Sequence, residues 1–325
     1  MPAGAGDGRR DGEWGHVKIR ETTDKQKEEQ KMRFEEFVKK AEEQMQEWLG
    51  ADAQVRVKTV RKNNGVVCTG LHDAAREVGA IIYLEPIYQS YQQSGETEEA
   101  FGRAMEDIKE QYGKADGGEE IRQLADTIGD FAAVKEKLAF RLVSQVRNRE
   151  LLQEVPHVNF LDLAVVFELY VGDDGEGVYS VPITNEHMAV WEVDTERLYR
   201  IAKANAPVLK PACLQGIGEV LGLGLPKGEQ EILYVLTNKQ AVHGAAVMLY
   251  EGELRKVSDR LGGDLAILPS SLHEVLLAPW TGRADSRGLR EIVRNVNRTE
   301  VPDEDQLSDQ VYRYIRSEDR IEMAE

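Results

Sequence analysis

Cysteine is nearly missing from this chain: Cys68 and Cys213 are the only thiols among 325 residues, and neither has a second cysteine near it. That excludes a disulfide-stapled scaffold and a cysteine-rich metal site, which need paired thiols at short spacing. Both read as reduced core residues. Also lacking is any apolar run approaching the ~20 residues that a membrane helix requires. The stretch Met1 to His16 is Gly-rich and charged without an apolar centre, the wrong composition for a secretory signal or an anchor. No Walker-type phosphate loop with its lysine occurs. These absences predict a cytoplasmic protein that stays off membranes.

Basic charge is in deficit. Against 58 acidic side chains stand 41 lysines and arginines, a formal charge of −17. Such an excess repels phosphate backbones and anionic headgroups unless a local basic patch overrides it. The densest basic runs, Arg56 to Lys62 and Arg141 to Arg149, alternate with apolar or polar neighbours and read as solvated faces, so no nucleic-acid partner is expected. What is present suffices for folding: 41% hydrophobic residues for a core, 30% charged residues for a solvated surface, and length for two ordinary domains.

The pattern along the chain predicts an α+β protein. Residues 1–30 form a charged arm with almost no apolar periodicity, disordered or partly helical. Residues 31–156 form a first region with an N-terminal helix, a small antiparallel sheet and helices. The helix carries Phe34, Phe37, Val38, Ala41, Met45, Trp48 and Leu49 on one stripe and ends at Gly50. Val55–Val60 and Val66–Leu71 flank Asn63-Asn64-Gly65, a hairpin signal because Asn and Gly tolerate positive φ. A third strand at Ala80–Leu84 joins them, and Pro86 starts a short helix. A helix with Phe101, Met105, Ile108 and Tyr112 on one face is broken by Gly113 with the Gly117-Gly118 pair. Another, with Phe131, Val134, Leu138, Leu142 and Val146 at helical spacing, runs to Pro156.

Residues 157–325 are expected to form a larger mixed sheet with packed helices. Phe160–Val171 reads as one strand buried on both faces, paired with Val178–Thr184. Asp194 caps a helix that Pro207 and Pro211 end. Short strands follow at Leu233–Leu236, Ala245–Leu249, Leu265–Leu268 and Val275–Leu277, with a helix at Glu253–Leu261. Ser286 caps a last helix with Leu289, Ile292, Val293 and Val296 inward, before a terminal hairpin.

Several separated motifs, in order, carry a resemblance. They include Arg61 to Gly65, Tyr83-Leu84-Glu85-Pro86, Phe160 to Val166, Thr184 to Met188, Leu236-Thr237-Asn238 with Gly244-Ala245-Ala246, Leu268 to Val275 and Leu307 to Tyr312. Through them the chain resembles an uncharacterised bacterial family, domain-of-unknown-function family 5688. The resemblance spans nearly everything after the arm and implies no activity, cofactor or catalytic residue. Leu233 to Ala278 also looks faintly like a second uncharacterised bacterial family.

The densest chemistry-bearing cluster is Pro269-Ser270-Ser271-Leu272-His273-Glu274, where hydroxyls, an imidazole and a carboxylate lie close together. Alternation sends Ser271 and His273 to one face and Glu274 to the other, so a local triad needs a bulge. The plainer reading is a turn in which Ser270 and Ser271 bond their own backbone and His273 is a half-buried sheet residue. His273-Glu274 begins like a zinc-protease helix, but Leu277 stands where the second histidine belongs. A metal site would have to gather His187, His243 and His273 with Glu186 or Glu274 across the fold; none is predicted.

Gly216-Ile217-Gly218 suggests a nucleotide loop, yet Leu221 holds the third glycine position and no strand is predicted before it. Asn185, His187, Asn238 and His243 are the candidate binding residues. Asn185-Glu186-His187-Met188 leading to Trp191 reads either as a binding edge or as a turn with Met188 and Trp191 packed in the core. Asp162, inside the most apolar strand, needs a buried donor such as Arg147 or Arg149. The reading is therefore a non-catalytic binding or interaction protein, without cofactor, for an undefined protein or small-molecule partner. The alternative is a hydrolase-like or metal-dependent enzyme around Ser270, Ser271, His273 and Glu274.

Overall fold

The computed structural model describes residues 32–76, 79–116, 119–173, 178–222 and 231–324; the arm predicted over 1–30 lies outside them. The fold is α+β, with a small three-stranded antiparallel sheet followed by larger sheets and helices. Two compact units make it up. The first holds the described residues through Lys58 with Thr69–Ala75 and Ile81–Gly113; the second holds Thr59–Cys68, Arg76–Ala80 and everything from Lys114. The predicted boundary at Pro156 falls inside the second unit.

In the first unit, helix α1 (Phe34–Leu49) buries Phe37, Ala41 and Met45 and stops at Gly50, whose φ of 82° only glycine adopts easily. Strands β1 (Val55–Arg61), β2 (Val67–Asp73) and β3 (Ile81–Tyr83) make the small sheet. Gln46 ties helix to strand: its amide donates to the Ala53 carbonyl at 3.1 Å and accepts the Val55 N–H at 3.0 Å. Helix α2 (Leu84–Gln93) begins before Pro86, which sits in its first turn where no N–H is needed. Helix α3 (Glu98–Asp116) passes through Gly113, the first glycine of the predicted break; Gly117-Gly118, the rest of it, lies outside the described residues. A single glycine costs only about 1 kcal/mol in a helix, too little to end one.

The second unit opens with α4 (Glu119–Thr127) and α5 (Phe131–Val134), then strand β4 (Leu138–Ser144) in place of the predicted long helix. Leu138 and Leu142 satisfy helical spacing, but with Phe140 they also satisfy strand alternation, and pairing of the whole of β4 with Leu163–Leu169 decides it. Short α6 (Leu151–Glu154), β5 (His157–Phe160), β6 (Leu163–Asp173) and β7 (Val178–Pro182) follow. The predicted continuous strand over Phe160–Val171 is thus a hairpin turning at Leu161-Asp162, with Leu161 at φ 53°. A run apolar on both faces hides such a turn. Strand β6 has β4 on one side, and β5 and β7 on successive halves of the other.

Beyond it come α7 (Asn185–Trp191), α8 (Thr195–Leu209), β8 (Ala212–Gly216), α9 (Ile217–Val220) and β9 (Tyr234–Asn238). Gly244–Leu249, predicted as a strand, is a 3₁₀ helix. Then follow α10 (Glu253–Leu261), β10 (Leu265–Leu268), β11 (Val275–Pro279), α11 (Arg283–Thr299), β12 (Tyr312–Ile315) and β13 (Arg320–Met323). The six-stranded sheet runs β13-β12-β10-β11-β9-β8, antiparallel throughout. Asp194 caps α8 by accepting the Arg197 N–H at 2.7 Å, but the helix carries Pro207 inside it and ends at Leu209. Ser286 is buried within α11, whose cap is Gly282. Ile292 is 56% exposed, and Asn297 turns inward instead, donating to the Ser308 carbonyl at 2.9 Å.

The hairpin tip is locked within the second unit by amides. Asn64, at φ 59°, gives its backbone N–H to Asn148 Oδ1 at 2.8 Å and receives Asn148 Nδ2 at 2.9 Å. Its own Nδ2 donates to the carbonyls of Asp303 and Gln306 at 2.7 and 2.6 Å. Asn64→Ala therefore removes the three side-chain bonds, keeps the backbone N–H bond to Asn148 and adds strain at positive φ, costing about 2–4 kcal/mol in chemical denaturation. Asn64→Gly, which relieves the strain alone, should fall between it and wild type.

Candidate functional site

The most unusual feature of the second unit is a carboxylate inside the sheet. Glu168 on β6 is 2% exposed. The register sets Ala139 opposite Glu168 and Arg141 opposite Val166, so alternation puts Arg141 and Glu168 on one face of the sheet. Lys210, 1% exposed just past the end of α8, contacts Glu168 Oε1 directly. Arg141 Nε lies 3.6 Å and His243 Nδ1 3.7 Å from Glu168 Oε2, and Ser180 Oγ on β7 donates to the same oxygen at 3.2 Å. Lys210 Nζ also sits over the Tyr170 ring, 5.8 Å from its centroid. Tyr170 donates to Asp173 at 2.5 Å, and Gln240 Nε2 reaches the same carboxylate at 3.4 Å.

Burial alone would push the Glu168 carboxyl up, but Lys210, then His243 and Arg141, outweigh it and hold the group well below its ordinary value of 4.5. Burial pulls Arg141 down, with Glu168 opposing. Burial likewise lowers His243 below 6.5 despite Glu168, so the imidazole is neutral at pH 7. The site then holds two fixed cations against one carboxylate. The Arg141 guanidinium makes no hydrogen bond among the described residues, and His243 Nδ1 and Gln240 Oε1 are buried without a hydrogen-bond partner there.

His243 is delivered by a tight turn after β9. Asn238 clasps it, donating to the Val242 carbonyl at 2.8 Å and accepting the Val242 N–H at 3.3 Å. His243 has φ 55°, a conformation that disfavours any side chain with a Cβ and that collects at functional turns. A methyl on the next residue, Gly244, would overlap Thr237 Oγ1 and the His273 carbonyl, so the backbone passes where only glycine fits.

The His243 N–H donates to His273 Nδ1 at 3.3 Å, and the two rings stack at 5.9 Å with planes 18° apart. Accepting at Nδ1 puts the neutral His273 proton on Nε2, which faces Asp305 Oδ1 at 3.2 Å. Ser271 Oγ accepts the His273 backbone N–H at 3.0 Å. Ser271, His273, Glu274 and Asp305 line an open depression of about 390 Å³ with Glu300 and Pro302. The carbonyl of Ser270 accepts the Leu307 N–H at 3.0 Å.

The candidate residues therefore separate. His243, Asn238, His273 and Ser271 are joined through one turn. His187 bonds Thr184 through Nδ1, completing the cap of α7, and stacks on Trp191; Asn185 donates to the Gln153 carbonyl. No three or more His, Cys, Asp or Glu side chains among the described residues are arranged to hold a metal ion. Asp162 accepts from Ser308 Oγ at 2.7 Å and Tyr312 OH at 2.6 Å, not from Arg147 or Arg149. A strand, β8, does precede Gly216, but the Gly218 N–H is taken by Glu231 Oε2 at 3.1 Å, a carboxylate where a phosphate would bind. The residues that sequence reasoning passed over are Glu168, Lys210 and Arg141. One signal was present: Glu168 is a lone acid in Leu163–Val171, an otherwise apolar and aromatic run.

Residues 34–316 match a family of unknown function, DUF5688, and the chain belongs to that family. No curated protein and no solved structure matches it. No helix among the described residues is long and apolar enough to cross a membrane.

Glu168→Gln should cost about 3–5 kcal/mol at pH 7, because Lys210 and Arg141 lose their buried counter-charge. A carboxyl whose folded value is depressed stabilises above its unfolded value and stops doing so as pH falls through the folded one. The gap between wild type and Glu168→Gln in denaturant titrations should therefore narrow as the pH drops below about 4.3. A gap independent of pH would show that Glu168 carries no charge.

Proposed function

We propose that this chain is a non-catalytic binding protein for a small carboxylate-bearing ligand, held beside the Arg141–Glu168–Lys210–His243 network. The observation that carries the reading is Arg141: a guanidinium 15% exposed, fixed by one 3.6 Å ion pair and making no hydrogen bond among the described residues. Its planar fork suits a carboxylate, and the cationic excess of the site favours an anion. His243 Nδ1, 3.7 Å from Glu168 Oε2 and without a hydrogen bond among the described residues, is a further polar atom on the same carboxylate. Binding as the activity also accords with His273, both of whose ring nitrogens face other partners. The reduced thiols of Cys68 and Cys213 suit the bacterial cytoplasm as its compartment.

Succinate and related dicarboxylates should raise the melting temperature of the wild-type chain in a ligand-dependent way. Arg141→Met should weaken that response about tenfold or more in ligand concentration, the loss of a charged hydrogen-bonded pair. An unchanged response would reject the site.

A hydrolase-like enzyme at Ser270, Ser271, His273 and Glu274 is the second reading, favoured by the Asp305–His273 pairing at 3.2 Å in an open depression. Weighing against it, Ser271 Oγ accepts the His273 backbone N–H and is 5% exposed as a residue. The expected outcome with p-nitrophenyl esters is no hydrolysis above background. Turnover abolished by both Ser271→Ala and His273→Ala would establish the enzyme instead.

A further inference from the structure

The two basic runs of the sequence, far apart along the chain, meet in the second unit. Arg61 and Lys62 at the end of β1 and Arg147 and Arg149 in the turn after β4 line one cavity of about 230 Å³. The geometry points to a binding site there for a small multivalent oxyanion of the phosphate-ester class, separate from the Arg141 site.

Charge carries the first part of the argument. In a chain of net charge −17, this lining has four cations and one carboxylate, Glu150. Like charges gathered this closely repel unless something negative sits among them. The internal acids answer only part of that repulsion. Glu150 pairs with Arg61 in an exposed contact, the weakest kind of ion pair and one that a ligand can displace. Arg149 has no ion-pair or hydrogen-bond partner among the described residues.

Positioning carries the second part. The backbone segments that carry the cations are fixed: Asn64 and Asn148, locked in reciprocal hydrogen bonds, hold them against each other, and two of the four side chains are also held. Arg147 Nη1 donates to Gln306 Oε1 at 2.6 Å and its Nη2 lies 3.6 Å from Asp309, while Lys62 Nζ lies 3.6 Å from Glu304. Those partners stand outside the cavity lining and orient the cations without filling it. Such pre-orientation lowers the ordering cost of binding. The small volume selects a compact anion, and the forked guanidinium groups select tetrahedral oxyanions that accept several hydrogen bonds.

Titration calorimetry of the full chain at low ionic strength, with pyrophosphate and inorganic phosphate as probes, tests the assignment. Saturable binding that weakens with added salt is expected, with pyrophosphate tighter than phosphate. Arg61→Ala with Arg149→Ala should weaken it about tenfold or more. Arg149→Lys, which keeps the charge, should lose less. Absence of saturable binding, or equal affinity in the double variant, would overturn the site. Retention of a single-stranded oligonucleotide far above pyrophosphate would overturn the small-anion assignment and put a nucleic-acid surface in its place.

Discussion

The interaction on which the second unit turns is the ion pair of Glu168 with Lys210. Neither side chain has water to fall back on, so each is stable in its charged form only because the other is there. Lys210 follows α8 directly, and its carbonyl accepts the Tyr250 hydroxyl, whose ring packs against Phe140 of β4 at 5.9 Å. One pair thus fixes the end of a helix, the central strand of a sheet and the segment after the 3₁₀ helix relative to one another. An apolar pair of the same volume would serve stability as well or better. The charged version is better explained by what it presents at its edge.

That edge is made by groups which the pair does not satisfy. Arg141 adds a second cation, and His243 arrives in a strained turn held by Asn238 and by the close passage of Gly244. Strain of this kind persists only where surrounding contacts over-determine it. Here the His273 ring does so, accepting the His243 N–H and lying parallel to its imidazole. The serine and histidine next to Pro269 are therefore spent on shaping the turn that carries His243, and the chemistry moves one step inward, to Glu168.

How much of this was legible follows from the same residues. Periodicity gave α1, the Asn-Gly hairpin, β3 and the strands from Tyr234 onward, because each is amphipathic or ends in residues that force a turn. It failed at β4, where Leu138, Phe140 and Leu142 fit two periods and only pairing with β6 chooses between them. It failed again at Leu161-Asp162, since a strand buried on both faces has no alternation for a turn to interrupt. Misplacing that turn made Asp162 the interior acid. In the fold it is a half-buried turn residue bonded to two hydroxyls, and the acid truly inside the strand is Glu168. Asn238 and His243 were named from the sequence, and Asn238 bonds Val242 four residues on, but the groups that His243 faces come from β4, β6 and the end of α8, which no local spacing connects.

The two cationic sites also make sense of the acidic balance of the chain. Net charge sets the far field, which repels anions; affinity is decided within a Debye length of roughly 8–10 Å, where a few arginines freed from acidic neighbours dominate. Arg149 is such a residue, lining a cavity between fixed segments, while Arg141, desolvated against Glu168, shares that one acid with Lys210. A surrounding negative field then acts as a filter: it discourages polyanions, whose every phosphate beyond the site meets repulsion, and spares a compact anion that fits wholly within reach of the guanidinium groups. Selection by size through charge is the physical logic that this distribution of arginines supports.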